Sequence, residues 1–226
     1  LGRRVDGLVV VGARSDPRPS LGKLPVPVVY AYAPSNDPAD ASVVIDHARG
    51  GGIGIEHLIT CGRTRIAVIS GDRTYGAANE RAEGALASLG AAGLSPWGGE
   101  VLFGAWTEAW GRSATEMLLA RPDAITSTGE PAFDGILCGS DQIARGVLDV
   151  LRERGVDVPQ AVSVVGHDNW EIFATGSRPQ LTSVDMHLEQ LGHRAAQRLF
   201  DAIDGRHTPG VEFCESSLVR RESSAP

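Results

Sequence analysis

Apolar residues along this chain fall into two spacings. Uninterrupted runs occur at Val5–Gly12, Leu24–Tyr32, Val43–Ile45, Ile66–Ser70, Val101–Phe103, Gly135–Gly139 and Val162–Gly166. Between them, apolar positions return at helical intervals: Ala78, Ala82, Ala85, Leu86 and Leu89, then Ile143, Ala144, Val147, Leu148 and Leu151. Runs without polar alternation predict strands buried on both faces, and the intervening spacing predicts helices packed on them. Helices are expected from about Gly51 to Thr60, from about Asn79 to Leu89, and after Trp110 to about Leu119. Ser183 or Asp185 opens a long one, with Leu188, Leu191, Ala195, Leu199 and Ile203 as its apolar stripe and Gly205 as its stop. Val211–Glu215 alternates like a half-exposed strand, and Arg220–Pro226 reads as a polar tail. Repeated strand–helix units indicate a doubly wound α/β architecture.

The stretch Phe133–Asp168 organises the rest. It reads as strand, helix, strand, with Ser140-Asp141 after the first strand and His167-Asp168 after the second. Ser140 or Asp141 can cap the helix by accepting a hydrogen bond from a free backbone N–H, and Gly155 supplies a left-handed stop. A βαβ unit makes the two strands parallel, so both polar pairs lie at one sheet edge. Ligands on open parallel sheets bind beyond the carboxyl ends of the strands, which places Asp168 in a binding site.

Composition narrows the function. The 226 residues are 42% hydrophobic and 22% charged, ordinary for a globular protein, and the net charge of −7 argues against this polypeptide gripping a phosphate backbone by itself. Cys61, Cys138 and Cys214 are far apart and form no metal or disulfide motif. No apolar run approaches a membrane span, and no signal peptide is legible. No cofactor motif completes itself. Gly50, Gly51, Gly52 and Gly54 lack the third glycine of a dinucleotide loop and the Lys-Ser/Thr of a phosphate loop, and a tightly packed helix start is the competing explanation.

Two further residues stand out. Arg81 is expected in the first turn of its helix, where the dipole disfavours a cation. It either awaits a ligand or is a solvated arginine pairing with Glu80 or Glu83. Trp106 and Trp110 follow a strand end, where an indole is either a hydrophobic plug or a platform for a ligand face.

Taken together, VDGLVVVG, PVPVVYAY, GIEHL, CGRTRIAVISG, NERAEGALASLG, FGAWTEAWG, GILCGSDQIARGVLDVLRERGVDVP, SVVGHDNWE, RPQLTSVDM, LGHRAAQRLFDAIDG and SLVRRESS resemble, in order, the sensor core of the LacI/GalR family of bacterial transcriptional repressors. The resemblance covers essentially the full length. It implies an α/β fold of two doubly wound parallel-sheet subdomains of periplasmic sugar-binding-protein type, the first of them incomplete. Residues 1–61 with 181–206 would form the N-terminal subdomain, and 62–180 with 207–226 the C-terminal one. Chain crossings are expected near Cys61-Gly62, Arg178–Thr182 and His207–Gly210, with a small sugar or related metabolite in the intervening cleft.

The resemblance also assigns residues. Arg81 falls on the arginine that binds effector oxygens, Trp106 on the aromatic packing against the ligand's apolar face, and Asp168 on an acceptor for hydroxyls. Ser140-Asp141 occupies the usual Asn-Asp pair, so an amide is replaced by a shorter hydroxyl. Tyr32 stands where many members carry aspartate. His167 replaces an aromatic and is expected to be packed and hydrogen-bonded. No catalytic residue or metal ligand is expected: Gly139-Ser140-Asp141 lacks the second glycine of a nucleophile elbow, which leaves an enzyme unsupported.

The family's helix-turn-helix, hinge helix and first strands would precede Leu1, so the chain is expected to be a fragment. The resemblance implies a cytoplasmic homodimer that meets operator DNA only through that absent portion and does not meet a membrane. A periplasmic sugar-binding protein of a transport system shares the fold and is the competing assignment.

Overall fold

The structure, a computed structural model, describes residues 5–127 and 129–224. In chain order the elements are β1 (Leu8–Val11), β2 (Val28–Ala31), β3 (Ala41–Ile45), α1 (His47–Thr60), β4 (Ile66–Ser70) and α2 (Gly76–Ala91). Next come β5 (Leu102–Phe103), α3 (Glu108–Leu119), β6 (Gly135–Cys138), α4 (Asp141–Glu153) and β7 (Ser163–Asp168). The remainder is α5 (Glu171–Ala174), β8 (Thr182–Asp185), α6 (Leu188–Ile203), β9 (Gly210–Cys214) and β10 (Ser217–Val219).

The chain divides into two units. One comprises Leu1–Asp46, Tyr75–Ala77 and His187–Glu215; the other comprises His47–Thr74, Ala78–Met186 and Ser216–Pro226. These boundaries correct the expected ones, 1–61 with 181–206 and 62–180 with 207–226, at four places: residues 47–61 and 181–186 fall in the second unit, and residues 75–77 and 207–215 in the first. Helix α1 belongs with the second unit, because it packs on β6, β7, β8 and β10. Residues 207–215 belong with the first, because β9 pairs in parallel with β3 along its whole length.

In the first unit four parallel strands run in the order β1-β2-β3-β9. Helix α6 covers them with Leu191 and Ala195, and Arg198 donates to the carbonyl of Ser42 at 3.0 Å. Its apolar stripe is narrower than the spacing suggested, since Leu188 and Ile203 are exposed.

In the second unit the order is β10-β8-β7-β6-β4-β5, parallel except for β10. From β4 the chain goes outward to β5, then returns to place β6 on the opposite side of β4. That reversal opens a crevice between the carboxyl ends of β4 and β6, the usual ligand position in doubly wound sheets. One face of the sheet buries Ile69, Ile136 and Val164 against Leu118, Ile143 and Leu148 of α3 and α4. The other buries Val68, Leu137 and Val165 against Ile55, Leu58, Ala82 and Leu89 of α1 and α2. Leu86, expected on the buried side, faces outward.

Two local expectations give way to tertiary structure. Ser183 and Asp185 do not open a helix; they lie in β8, whose partners β7 and β10 are remote in sequence. The tail is not merely polar and solvated. Ser223 and Ser224 are fully buried: Ser223 Oγ donates to Val164 O at 2.6 Å, and Ser224 Oγ lies 2.7 Å from His57 Nε2. Ala225 and Pro226, the end of that expected tail, lie outside the described residues.

The clustered glycines serve helix packing. A Cβ on Gly51 would collide with the carbonyl of Arg81, and one on Gly84 with the carbonyl of Ala48, so α1 and α2 cross backbone to backbone. Gly84→Val should therefore cost roughly 1–3 kcal/mol through overpacking. Gly90→Ala in the same helix meets nothing within 4 Å, and should add about 0.4–1 kcal/mol by restricting the unfolded chain. Denaturant unfolding of both variants checks the contrast; equal effects would contradict the crossing.

Candidate functional site

The carboxyl ends of β4, β6, β7 and β8 are brought side by side by register: Ile69 is level with Cys138, Leu137 with Val165, and Asp168 with Asp185. Into this edge reaches Arg81, the sixth residue of α2 and not a first-turn residue as expected. Its side chain is only 6% exposed, and its guanidinium meets four acceptors. Nη1 donates to Gly139 O at 2.6 Å and Asp168 Oδ1 at 3.1 Å, Nε to His47 Nδ1 at 3.3 Å, and Nη2 to Met186 Sδ at 3.1 Å. A buried cation needs such partners, because desolvation otherwise outweighs its interactions. The solvated pairing with Glu80 or Glu83 is thereby replaced by a pair with Asp168.

Asp168 adopts φ 105° and the following Asn169 φ 55°. Both values are unfavourable for L side chains and are held by surrounding bonds. Asn169 N donates to Ser183 Oγ at 3.0 Å, its Nδ2 to Asp185 Oδ2 at 2.9 Å, and its Oδ1 accepts from Arg221 at 2.7 Å. The bend turns the Asp168 carboxylate toward Arg81.

Trp106 lies across Gly71, where any Cβ would strike the indole, and Arg81 Cζ stands 5.7 Å from its ring centroid. The two tryptophans part company here. Trp110 lies over Gly104 and donates through Nε1 to Ser70 O at 2.9 Å, so it is the plug. Trp106, half-buried beside the cation, is the ring that stands at the site.

The other expected residues are placed differently. Ser140 is the N-cap of α4, its Oγ accepting from Ile143 N at 3.3 Å. Asp141 is 0% exposed, with Oδ1 accepting from Ser183 Oγ at 2.6 Å and Oδ2 from Trp170 N at 2.8 Å. It ties α4 to β8 and to the start of α5. Tyr32 belongs to the first unit, where its backbone takes φ 71° and its N–H donates to Val43 O. Arg81, Trp106 and Asp168 are thus the trio brought together.

Residues missed from sequence are His47, Met186, Asn169, Ser183, Asp185 and Arg221. His47 precedes the glycine cluster and could have been suspected as polar at a helix start; Met186 carried no signal. His167 is packed as expected, against Gly50 and 6.5 Å from the His47 ring, but its Nε2 makes no hydrogen bond to any described residue. Among the described residues no three metal-ligating side chains converge.

Burial and Arg81 lower His47 to about 3, and burial, Arg81 and His47 hold His167 well below its usual value. Burial raises Asp168 to about 6 despite Arg81, and raises Asp141 to about 7, against the bonds from Ser183 and Trp170. The site therefore has one permanent cation, a carboxylate partner and two neutral imidazoles. It can offer hydrogen bonds and an aromatic face to a polar, uncharged molecule.

A model of the periplasmic binding protein-like domain matches residues 55–224. The HTH-type transcriptional regulator CelR of Thermobifida fusca is 35% identical over 227 residues, covering 98% of this chain and 64% of its own length. The HTH-type transcriptional regulator GalR of Escherichia coli (strain K12) is 29% identical over 182 residues, covering 80% and 50%. Among solved structures, a CelR–cellobiose complex gives a TM-score of 0.77 at 33% identity, covering 98% of this chain and 67% of that one. A dimeric Lac repressor gives 0.74 at 25% identity, covering 89% and 70%. The chain spans between half and two thirds of the length of the two regulators CelR and GalR.

The buried groups predict opposing pH dependences. His47 and His167 contribute stability that is present above their unfolded value of 6.5 and lost as pH falls toward the folded value, about 3 for His47. Asp141 and Asp168 contribute stability present below 3.8 and lost as pH rises through about 7 and 6. His47→Gln keeps an acceptor for Arg81 and removes one titration. Between about pH 7 and pH 4 the wild type should lose more stability than this variant, by at most roughly 3 kcal/mol at about 1.4 kcal/mol per pKa unit. Urea unfolding across that range tests it; parallel losses would show that His47 titrates normally in the folded chain.

Proposed function

The chain belongs to the periplasmic binding protein-like domain family, with relatives of the LacI/GalR regulator type, and we propose that it is the effector-sensing core of a bacterial transcriptional regulator. The observation that carries this reading is the Arg81–Asp168 pair beside Trp106 at the sheet's switch point. A sugar has what such a site recognises: adjacent hydroxyls that donate to a carboxylate and accept from a guanidinium, and an apolar ring face for an indole. The buried pair is balanced in charge, which favours a neutral saccharide over an anion. The CelR–cellobiose likeness makes a glucose disaccharide the first one to try.

In the longer protein, effector binding would shift operator affinity by favouring one of two conformations, which requires the effector to bind them unequally. DNA contact would come from a segment outside this chain, in keeping with the net charge of −7. A homodimer in the cytoplasm is the working assembly, supported by the dimeric Lac repressor likeness. The transport-protein alternative has no comparable support, because the curated relatives CelR and GalR are regulators.

The test is thermal unfolding with cellobiose, glucose, galactose and lactose. At least one should raise Tm, by about 2.7 kcal/mol equivalent at a hundredfold excess over Kd. Arg81→Lys and Asp168→Asn should remove that rise, and Trp106→Leu should weaken binding about tenfold. No response to any saccharide, or an undiminished response in all three variants, overturns the proposal.

A further inference from the structure

Of the groups on Arg81, the acceptor at Nη2 is the odd one. Gly139 O, Asp168 Oδ1 and His47 Nδ1 are strong acceptors, whereas the Met186 thioether at 3.1 Å is a weak one. Met186 is 3% exposed, so water does not compete there on equal terms. Three of the five guanidinium N–H groups therefore meet strong acceptors, whereas Nη2 meets only the thioether of the most flexible apolar side chain available. Nothing in the packing of a core demands a sulfur on a buried cation; leucine would fill the same space.

Met186 also has a distinctive place in the chain. It is the last residue of the second unit before the chain passes at His187 into the first, and His187 takes φ 49°. His47, the acceptor at Nε, is the first residue of the second unit after the opposite passage at Asp46. One guanidinium thus holds the residues that flank two passages, one by a firm bond and one by a weak one.

We infer that Met186 is a place-holding residue for the effector, an affinity-setting acceptor that a ligand oxygen displaces from Arg81 Nη2. This rests on the effector reading of the same site. An oxygen acceptor on a cationic donor is stronger than sulfur, so the exchange favours binding, and the weak bond keeps the guanidinium oriented until then. Displacement moves the thioether at the chain passage itself, so occupancy is felt there without an intermediary. A stronger built-in acceptor would compete with the ligand; no acceptor would remove the competition.

The protein has two methionines, Met117 and Met186, and Met117 is exposed on α3. Methyl-13C methionine NMR therefore gives one reporter and one internal control. Cellobiose, or whichever of glucose, galactose and lactose raises Tm, should shift the Met186 methyl and leave Met117 unmoved. Met186→Leu should bind that sugar about threefold to tenfold tighter and Met186→Gln about tenfold weaker, from a hydrogen bond's net worth. A sugar that binds through Arg81 and Asp168 while the Met186 methyl stays fixed, or that binds both variants equally, overturns the inference and leaves the effector site standing. Absence of binding by all four sugars overturns the effector reading and this inference with it. Should Met186→Gln fail to fold, the leucine variant and the methyl shift decide.

Discussion

A guanidinium removed from water must be surrounded by acceptors, and the second unit is arranged around meeting that requirement for Arg81. Its four partners are the residue after β6, the last residue of β7, the residue after β8 and the first residue of α1, positions far apart in sequence. Placing the cation there depends on α1 and α2 approaching until backbone meets backbone, which Gly51 and Gly84 permit. Larger side chains at that crossing would hold the helices apart and draw Arg81 away from the strand ends. Helix packing on one face of the sheet and polar chemistry at its edge are therefore one constraint.

The same economy governs the two carboxylates after the strands. Asp141 is buried and Asp168 half-buried, and burial raises both, yet their bonds differ. Asp141 spends both oxygens on Ser183 and Trp170, holding α4, β8 and α5 in place. Asp168 gives one oxygen to Arg81 and keeps its side chain 15% exposed. The left-handed backbone at Asp168 and Asn169 makes the distinction possible, because an extended continuation of β7 would carry the carboxylate past the cation. Asp141 bonds through both oxygens and Asp168 through Oδ1.

Two buried imidazoles beside an arginine would be costly if charged. Their depressed values follow from burial and from Arg81, and they leave the site neutral in net character. Neutral surroundings with a few directed hydrogen bonds suit hydroxyl recognition, where discrimination comes from unpaired polar groups and not from net charge.

Local pattern determined much of this protein. Continuous apolar runs located β4, β6 and β7, helical spacing located α4, and Ser140 as a possible cap was realised as the cap. Asp168 was legible because an aspartate at the end of a buried strand has little reason to be there except at a polar edge; Arg81 was singled out for a first-turn position that it does not hold, since it is the sixth residue of α2. Other features were invisible for a physical reason. β8 and β10 are short, and β8 is largely polar; only pairing with other strands makes them strands. Ser223 and Ser224 look solvated until the sheet buries them. Asp141 resembles a ligand until Ser183 and Trp170 arrive, and Met186 resembles core until its sulfur is found on Arg81. Chain periodicity decides which segments are buried. Only the tertiary structure decides which polar groups satisfy one another and which are left for a ligand, since those partners meet across remote stretches of chain.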